Sequence, residues 1–530
     1  MMMQFKPQEK LQTALAASEL FAAWVDGRLN APFLKPGHGD ARVELEMALA
    51  PVEGHRGPTP LFGSSWVPGW AEDLAEDLPD AGDRAAFREN LGRLRDGAAD
   101  VVVTGQQPGF LGGPLYTLYK IATAVELARL RTERGLPTVP VFWSGDDDDD
   151  LAEALSPVAW DPGPDQAVRA TAVPLDGKRA PVIGRLSRQP WQEEAAAWLT
   201  SSAKSGGLAG ELADLWSMAR AEDWPLSRVN RRLVLRLFSG SGLVVVSGDD
   251  PGLHTVSHPL YETIRERGEA LREAGHSRGR ELVDMGWHAQ INDRSLARPL
   301  FRIVDGRRVP QPSSELPADT AGIRPGVMLR SPVQDWLLRP AAVVVGPGEL
   351  AYLRQLDAVY EVLGVPRPPL VPRLFAWAVP RDFPVQRLED FRKAGRVDPA
   401  AGARLADRAA KEAGRLLATI LTDEVGLTPD RAADLAAGRT RRWRKGVEAM
   451  LKDEMRRQAE RAAPSRPGWV FPDGQRQERK LALGCAAAFW GGDFVATVRR
   501  AARAHLEMGA TGDWREFTLE VPALGQEKVK

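Results

Sequence analysis

The stretch that decides the fold is VVVTGQQPGFLGGPLYTLYK, residues 101–120. Val101–Val103 form a β-branched run without polar alternation, which predicts a strand buried on both faces of a parallel sheet. The glycine-rich loop that follows lets the backbone turn sharply and approach a ligand closely. Pro114 suits a first helical position, and apolar residues recur after it at helical spacing. The stretch therefore predicts a strand, a loop and a helix N-terminus in direct succession.

This junction is a candidate anion site, because a helix N-terminus presents unpaired N–H groups and the positive end of the helix dipole. It is not a Walker loop, since no Gly-Lys-Ser/Thr follows. The spacing of Gly105, Gly109 and Gly112 also misses the dinucleotide pattern G-x-G-x-x-G. By themselves the glycines fit a ligand loop and a simple tight turn equally well.

The composition limits the classes of function. A chain of 530 residues is long enough for two or three domains. Its 70 basic and 71 acidic residues nearly cancel, so no global field favours nucleic acid or an anionic membrane. The single cysteine, Cys485, excludes an internal disulfide framework and a cysteine-rich zinc site, and it fits a reducing compartment.

The first segment, residues 1–27, has an apolar part that Glu19 and Asp26 interrupt. It lacks the clean hydrophobic core and the cleavage site of a signal peptide. We expect a helix of a cytoplasmic protein, and the sequence predicts no membrane span.

Three further apolar runs are similar to the first strand. They cover Val139–Trp143, Leu243–Val246 and Ala341–Val345, and they end in SGDDDDDL, SGDDPG and GPGE. In doubly wound sheets, ligands bind outside the carboxyl ends of the strands, at the point where the strand order reverses. We therefore predict an α/β fold with a doubly wound parallel sheet and one crevice lined by the four loops.

The remaining segments differ in composition from these strands. Two of them contain hairpin signals, at Asp176-Gly177 and Asp305-Gly306. Another is rich in Ala, Arg, Leu, Glu and Lys and predicts a long antiparallel helical hairpin. The predicted divisions are 1–156, 231–285 and 326–380 for N-terminal helices and core, 157–230 and 286–325 for two inserts, 381–465 for the helical arm, and 466–530 for a segment that packs back on the core.

Four segments resemble a known family. TGQQPGFLGGPLYTLYK, PVFWSGDDDDDLAE, VMLRSPVQDWLLRPAAVVVGPGELAYLRQL and GQRQER together are similar to the bacillithiol biosynthesis cysteine-adding family, BshC. The resemblance implies a Rossmann-like core related to class I aminoacyl-tRNA synthetases, two connecting inserts, and a coiled-coil arm that pairs two subunits as a homodimer. It also implies a ligase that adds cysteine to glucosaminyl malate through an amide bond. The implied cofactors are a nucleoside triphosphate, ATP being the expected one, and Mg²⁺, without a structural metal.

The acidic loop departs from the family. After the Phe-Trp strand the family reads Glu-Asp-His-Asp, and here Asp147–Asp150 align with it, so Asp149 replaces the histidine. Histidine is a ready proton shuttle at neutral pH. Carboxylates at a strand end still attract an ammonium group, and mutual repulsion raises the pKa of at least one of them. We therefore take Asp148, Asp149 and Asp150 as candidate catalytic residues, against the alternative of a solvated acidic turn.

Other polar and glycine residues of these loops are candidates for binding. For Tyr116 and Lys120 the alternative is a tyrosine packed under the sheet and a lysine that extends to solvent. For Gln334, Asp335 and Glu349 it is helix capping and loop order. The candidate substrate- or nucleotide-binding residues are Thr104, Gly105, Gln106, Gln107, Gly109, Gly112, Gly113, Tyr116, Lys120, Trp143, Asp147, Asp249, Gln334, Asp335, Gly346 and Glu349.

Because Asp149 stands in place of the family histidine, another histidine is a candidate for the base. The candidates are His254, His258 and His288. His254 and His258 are four residues apart on a predicted helix, a spacing compatible with a metal. No third ligand is evident, so a surface pair is favoured.

Three functions from different classes fit the sequence. The first is an active cysteine ligase. The second is a catalytically altered relative that binds a nucleotide or an amino acid, which Asp149 motivates. The third is an assembly protein in which the helical arm is the working part and the core is a platform.

Overall fold

The computed structural model describes the chain in two compact units, Met1–Arg381 with Gln477–Lys530, and Asp382–Arg476. None of the helices in the described part of the chain combines the length and the apolar character needed to cross a membrane. The description covers the whole chain apart from residues 1–2, 12–14, 16–17, 53–58, 64–74, 76–77, 79, 162–164, 172–180, 188, 203–207, 396–398, 463–467 and 524–530.

All of the described strands belong to the first unit. In chain order they are β1 (Gln4–Lys10), β2 (Asp100–Gln106), β3 (Thr138–Ser144), β4 (Val158–Asp161), β5 (Gln166–Arg169), β6 (Val244–Ser247), β7 (Leu300–Val304), β8 (Arg307–Gln311), β9 (Ile323–Pro325), β10 (Ala342–Val345), β11 (Leu370–Pro372), β12 (Ala376–Pro380) and β13 (Arg515–Val521).

The described α-helices occur in both units. Those of the first unit are α1 (Glu19–Val25), α2 (Ala41–Ala48), α3 (Pro60–Gly63), α4 (Ala81–Arg95), α5 (Tyr116–Glu133), α6 (Leu151–Ala154), α7 (Pro190–Ser202), α8 (Leu208–Ala221), α9 (Leu226–Leu237), α10 (Pro251–Val256), α11 (His258–Asp284), α12 (Asp293–Leu296), α13 (Val327–Leu338), α14 (Pro347–Leu363), α18 (Gln477–Lys480) and α19 (Leu483–Gly509). Those of the second unit are α15 (Gln386–Gly395), α16 (Pro399–Asp423) and α17 (Pro429–Ala462).

The central sheet has five parallel strands in the order β11-β10-β2-β3-β6. The first strand of this sheet in chain order, β2, lies in its middle. β3 and β6 follow on one side of β2, and β10 and then β11 follow on the other. The strand order therefore reverses between β2 and β10, which is where such sheets bind ligands. The predicted α/β fold with a parallel sheet is confirmed.

Four of these strands coincide with the predicted apolar runs, and the fifth does not. The sequence does not predict β11, because it offers only Leu370 and Val371 before Pro372 in the proline-rich PRPPLVP, too few for a hydrophobic pattern. β2 and β3 are in register from Asp100 opposite Thr138 to Gln106 opposite Ser144. The loops after both strands therefore start at the same edge of the sheet.

The glycine-rich loop turns through backbone that a side chain would strain. Gly112 and Gly113 have φ of +87° and +86°. A Cβ on Gly112 would lie 3.0 Å from side-chain carbons of Leu233 and Leu483. A Cβ on Gly109 would lie 2.8 Å from the carbonyl oxygen of Ala154. These three glycines pack the loop onto neighbouring elements, and α5 begins at Tyr116 rather than at Pro114.

The sequence prediction of a helix in the N-terminal segment, residues 1–27, is wrong for residues 4–10. Gln4–Lys10 is a strand that pairs antiparallel with β13, and β13 pairs in parallel with β12 in a separate three-stranded sheet. Farther along this segment Glu19–Val25 is helical, while residues 12–14 and 16–17 lie outside the described residues. The long-range pairing of residues from both ends of the chain overrides the local preference, and a sequence pattern cannot show it.

Both predicted inserts contain short antiparallel strands. In the second, β7 and β8 are joined through Asp305 and Gly306, which have φ of +48° and +70° and make the turn where the sequence predicted it. In the first, the described hairpin joins β4 to β5. The predicted turn at Asp176-Gly177 lies outside the described residues.

The second unit, Asp382–Arg476, is mainly helical. α16 and α17 pack against each other and are connected by the short segment 424–428, which makes them antiparallel. Gly426 has φ of +73° in that connection, and α17 begins at Pro429. The unit thus contains the helical hairpin expected from its composition.

Candidate functional site

A cavity of about 270 Å³ lies at the reversal point between β2 and β10. Its walls come from the ends of these strands, from the loops after β2 and β3, and from α13 and α14. The sequence-predicted residues that line it are Gly105, Gln106, Gln107, Trp143, Asp148, Gln334, Asp335 and Glu349. Polar lining residues that the sequence analysis missed are Glu153, Arg330, Ser331, Tyr352, Tyr360 and Arg367.

The loop after β2 offers amide groups to this cavity. Gln106 donates through Nε2 to the hydroxyl of Tyr116 over 3.2 Å, and that hydroxyl donates to Glu153 over 3.2 Å. The Nε2 of Gln107 is buried and has no hydrogen-bond partner among the described residues. A buried donor without a partner is costly, so this amide is suited to bind an oxygen of a ligand.

Lys120 is fixed beneath the loop. Its side chain is only 2% exposed, and Nζ donates to the carbonyl oxygen of Gly105, to Gln106 Oε1 at 3.3 Å and to Glu349 Oε1 at 2.8 Å. The other oxygen of Glu349 accepts from the backbone N–H of Gly346 over 2.9 Å at the start of α14. The alternative of a lysine that extends to solvent is therefore wrong, and the Lys120–Glu349 pair ties the ends of β2 and β10 together.

Arginines neutralise the acidic loop at the end of β3. Asp146 is buried and accepts from Ser144 over 2.6 Å and from Arg231 over 2.6 Å. Burial raises the pKa of Asp146, and Arg231 opposes that rise. The loop is therefore not the open ammonium site that the sequence suggested.

The next two aspartates share a second pair of arginines. Arg330 donates from Nη1 to Asp148 Oδ2 over 2.7 Å, and Arg308 and Arg330 lie 3.8 Å and 3.7 Å from Asp147 Oδ2. Burial raises the pKa of Asp148, but Arg330 and Arg308 outweigh it and hold that pKa below its ordinary value. These arginines come from segments distant in sequence, which is why the run of aspartates alone was misleading.

Asp149 and Asp150 do not line the cavity. Asp150 is exposed and caps α6, where Oδ1 accepts from the backbone N–H of Glu153 over 2.9 Å. Asp149 is half-buried, and burial raises its pKa against the opposing charge of Arg308. Asp148 is therefore the predicted catalytic aspartate that borders the cavity.

The loop after β6 is likewise held by arginines. Asp249 accepts two hydrogen bonds from Arg185, at 2.5 Å and 2.9 Å, and one from Arg324 at 2.8 Å. Asp250 caps α10 by accepting from the backbone N–H of Gly252. Asp249 therefore orders the loop and is not among the residues that line the cavity, so its role in binding stays a prediction.

None of the three candidate histidines is among the residues that line the cavity. His254 is buried in α10, where its ring nitrogens face the Tyr261 hydroxyl and the Gly248 carbonyl oxygen, at 2.7 Å and 2.9 Å. Burial lowers its pKa well below the ordinary value. His258 begins a different helix, and the described residues contain no group of three or more metal-ligating side chains. His288 does not line the cavity.

The α13 side of the cavity presents a buried acid. Asp335 accepts from the Tyr360 hydroxyl over 2.5 Å and from Gln334 Nε2 over 3.0 Å. Burial raises the pKa of Asp335 to about 7. Arg330 lies one helical turn before Gln334, so the spacing within VMLRSPVQDWLL was the signal by which this arginine could have been found.

The other predicted binding residues lie outside the lining of the cavity. Thr104 donates from Oγ1 to the Val344 carbonyl oxygen over 3.0 Å and joins β2 to β10. Tyr116 is hydrogen-bonded to Gln106 and Glu153 outside the cavity lining, and burial together with the nearby Glu153 raises its pKa. The remaining predicted residues that do not line the cavity are Gly109, Gly112, Gly113, Asp147 and Gly346.

The comparison with family models settles the relationship of this chain. The model described as "Bacillithiol biosynthesis BshC, N-terminal Rossmann-like domain" matches residues 71–316 and 314–374, more than half of the chain. The chain belongs to the BshC family. Every residue that lines the cavity lies inside the matched span.

Individual members of the family show the same relationship. The chain is 31% identical over 307 residues to the protein named "Putative cysteine ligase BshC" of Koribacter versatilis, with 54% of this chain and 56% of that protein covered. It is 30% identical over 328 residues to the protein of the same name from Geobacillus thermodenitrificans, with 56% and 59% covered. The matched region thus spans somewhat more than half the length of these curated relatives.

A solved structure was also compared. The arginyl-tRNA synthetase of Thermus thermophilus is 12% identical, covering 97% of this chain and 96% of that one, with a TM-score of 0.23. Because this score is so low, we draw nothing from the superposition.

Proposed function

We propose that this protein is a carbon–nitrogen ligase that joins cysteine to glucosaminyl malate through an amide bond in bacillithiol biosynthesis. The observation that carries the proposal is the cavity at the reversal point of the sheet, because all of its lining residues lie in the span that matches the family. Relatives named as cysteine ligases match 54% and 56% of this chain.

The side chains of the cavity suit the binding of an activated carboxyl group. Gln106 and Gln107 provide amide donors beside the loop after β2, and Arg330 provides a guanidinium on the opposite wall. Lys120 fixes the carbonyl oxygen of Gly105 and so holds the loop in position. Trp143 contributes an aromatic side chain to the cavity wall.

Amide formation requires that the amine of glucosaminyl malate attack the cysteine carboxyl carbon and lose a proton. A nucleoside triphosphate, ATP in this proposal, supplies the group that turns a carboxyl oxygen into a leaving group. The buried, unpartnered amide of Gln107 fits an anionic oxygen of such a ligand. The cavity acids do not form a Mg²⁺ cage, because Asp148 is held by Arg330 and Glu349 by Lys120. A Mg²⁺ ion would therefore be held mainly by the nucleotide phosphates.

We also propose that the second unit pairs two subunits as a coiled-coil homodimer. Large apolar side chains are exposed on its helices, among them Leu416, Trp443 and Met450 at 65%, 47% and 61%. In this proposal these side chains belong to one apolar patch, and such patches are typical of protein contacts. A cytoplasmic location completes the proposal, since a thiol substrate requires a reducing compartment.

The test is direct. Purified protein is incubated with cysteine, glucosaminyl malate and ATP, and product is sought at the mass of bacillithiol. Product that depends on all three reactants supports the ligase. If no product forms but a reactant still raises the melting temperature, the ligase proposal is wrong. The protein is then a catalytically altered relative that binds a nucleotide or an amino acid. Absence of both product and binding would leave the assembly role.

A further inference from the structure

The acids of the cavity differ in their partners. Within the described chain, four carboxylates line it: Asp148, Glu153, Asp335 and Glu349. Asp148 is paired with Arg330, and Glu349 is paired with Lys120. Glu153 is exposed to solvent, which screens its charge. Asp335 is also buried. Its hydrogen bonds within the described chain come from Gln334 and Tyr360, and neither donor is a cation.

The two hydrogen bonds to Asp335 orient its carboxylate without neutralising it. Both donors, the Tyr360 hydroxyl and the Gln334 amide, are uncharged. A buried carboxylate in such surroundings is costly to ionise, which agrees with its pKa of about 7. Binding a cation beside it would remove that cost. The site is thus built to receive a positive charge from a ligand.

The surroundings select the kind of cation. A divalent metal ion requires several oxygen ligands, and the described residues form no group of three or more metal-ligating side chains here. Arg330 lies on the same helix, but Asp148 holds its guanidinium. An ammonium group needs only a few acceptors, and a single carboxylate is its strongest partner.

We propose that Asp335 is the receptor for a primary ammonium group of a substrate. This inference rests on the proposed function, whose reactants carry two such groups, the α-ammonium of cysteine and the sugar ammonium of glucosaminyl malate. Tyr360 and Gln334 act as positioning residues, because they fix the carboxylate through its two oxygens.

The experiment compares ligands that differ only in the amine. Calorimetry at pH 8 measures the binding of L-cysteine against 3-mercaptopropionate, and of glucosaminyl malate against glucosyl malate. The wild type is expected to bind the amine-bearing member of at least one pair roughly 10-fold to 100-fold more tightly, as for a hydrogen bond to a charged group. Asp335→Asn is expected to reduce that preference to less than about threefold, and the pair affected identifies the ammonium.

Two further variants separate the effect of the Asp335 charge from that of a changed hydrogen bond or of substitution in general. Tyr360→Phe removes a hydrogen bond but keeps the carboxylate, so it should keep most of the amine preference. Asp284→Asn, at the exposed end of α11, should change nothing. Equal loss of preference in Tyr360→Phe and Asp335→Asn would overturn the inference, as would a wild type without any amine preference.

These outcomes are distinct from those of the ligase test. Product without an amine preference at Asp335 would remove the inference and keep the proposed function. An amine preference that Asp335→Asn abolishes, in a protein that forms no product, would keep the receptor and remove the ligase.

Discussion

Arg330 donates from Nη1 to Oδ2 of Asp148 over 2.7 Å across the cavity wall. The pair joins α13 to the loop after β3, and the second guanidinium nitrogen of Arg330 lies 3.7 Å from Asp147. Arg330 thereby offsets the repulsion between Asp147 and Asp148 and fixes Asp148 at the edge of the cavity. The arginine is consequently a structural requirement of the site as well as a candidate ligand for an anion.

Replacing Arg330 by methionine should destabilise the protein. The change removes the guanidinium that pairs with Asp148 and leaves Asp147 beside Arg308, and loss of one partner of a buried pair costs about 3 kcal/mol. Urea unfolding at pH 7 measures the free energy of unfolding. The control is Arg265→Met, at the exposed Arg265–Glu262 pair, which should cost less than about 1 kcal/mol. Equal and small losses in both variants would show that the Arg330 pair contributes nothing.

The same pair gives a pH dependence with a definite sign. The pKa of Asp148 lies below its ordinary value in the folded protein, because Arg330 and Arg308 outweigh the effect of burial. Its contribution to stability is therefore present above the unfolded pKa and is lost as the pH falls through the folded pKa. The stability difference between wild type and Arg330→Met should accordingly shrink in acid.

Asp335 should show the opposite sign. Burial raises its pKa to about 7, so its ionisation destabilises the folded protein as the pH rises from the unfolded pKa through the folded one. Asp335→Asn should therefore gain stability over the wild type between pH 4 and pH 7, and the gain should level off above. One pKa unit corresponds to about 1.36 kcal/mol, which gives a maximum of roughly 4 kcal/mol. A stability difference independent of pH would contradict the raised pKa.

The sequence predicted the strands that position the site better than the ion pairs within it. Val101–Val103 and the three similar runs form strands because their burial is encoded in a continuous local pattern. The arginines that neutralise the acidic loop come from α9, β8 and α13, and their approach depends on tertiary packing. The run of aspartates does not encode that approach, although Arg330 has a local signal in its position one helical turn before Gln334. For the same reason, the strand pairing between the two ends of the chain was not predicted.

The glycine at the end of β2 should control access to the cavity. A Cβ on Gly105 would lie 3.0 Å from the Trp143 carbonyl oxygen and 3.8 Å from Gln334 Oε1. Gly105→Ala should therefore cost about 1–3 kcal/mol through overpacking and weaken ligand binding. Gly92→Ala is the matched control, because it lies within α4 with no atom within 4 Å of the new Cβ, and it should be slightly stabilising. Unchanged ligand affinity in Gly105→Ala would argue that ligands do not approach this backbone.

Placing a histidine next to Asp148 should raise turnover. Imidazole has an unperturbed pKa near 6.5 and is a more effective proton shuttle at neutral pH than the half-buried carboxylate of Asp149. Asp149→His is expected to increase the rate of product formation on the order of tenfold or more, as general acid–base catalysis allows. Asp149→Asn, which removes the charge without adding a shuttle, is the control. If both variants are alike in rate, position 149 has no part in proton transfer.

The last prediction concerns the helical unit, Asp382–Arg476, and the surface through which it would pair two chains. Leu416 lies on α16 and Trp443 on α17, and both expose large apolar side chains that a partner subunit would cover. The double substitution Leu416→Glu and Trp443→Glu places charges on that surface. Because a charge is costly to bury without a partner, it should convert a dimer into a monomer in sedimentation velocity experiments.

Met218 provides the matched control for this change. It is a similarly exposed apolar residue, 44% accessible, on α8 of the first unit. Met218→Glu should leave the oligomeric state unchanged. If the control dissociates while the double variant stays dimeric, the subunits meet through the first unit. If the wild type already sediments as a monomer, the exposed apolar residues of α16 and α17 do not pair subunits.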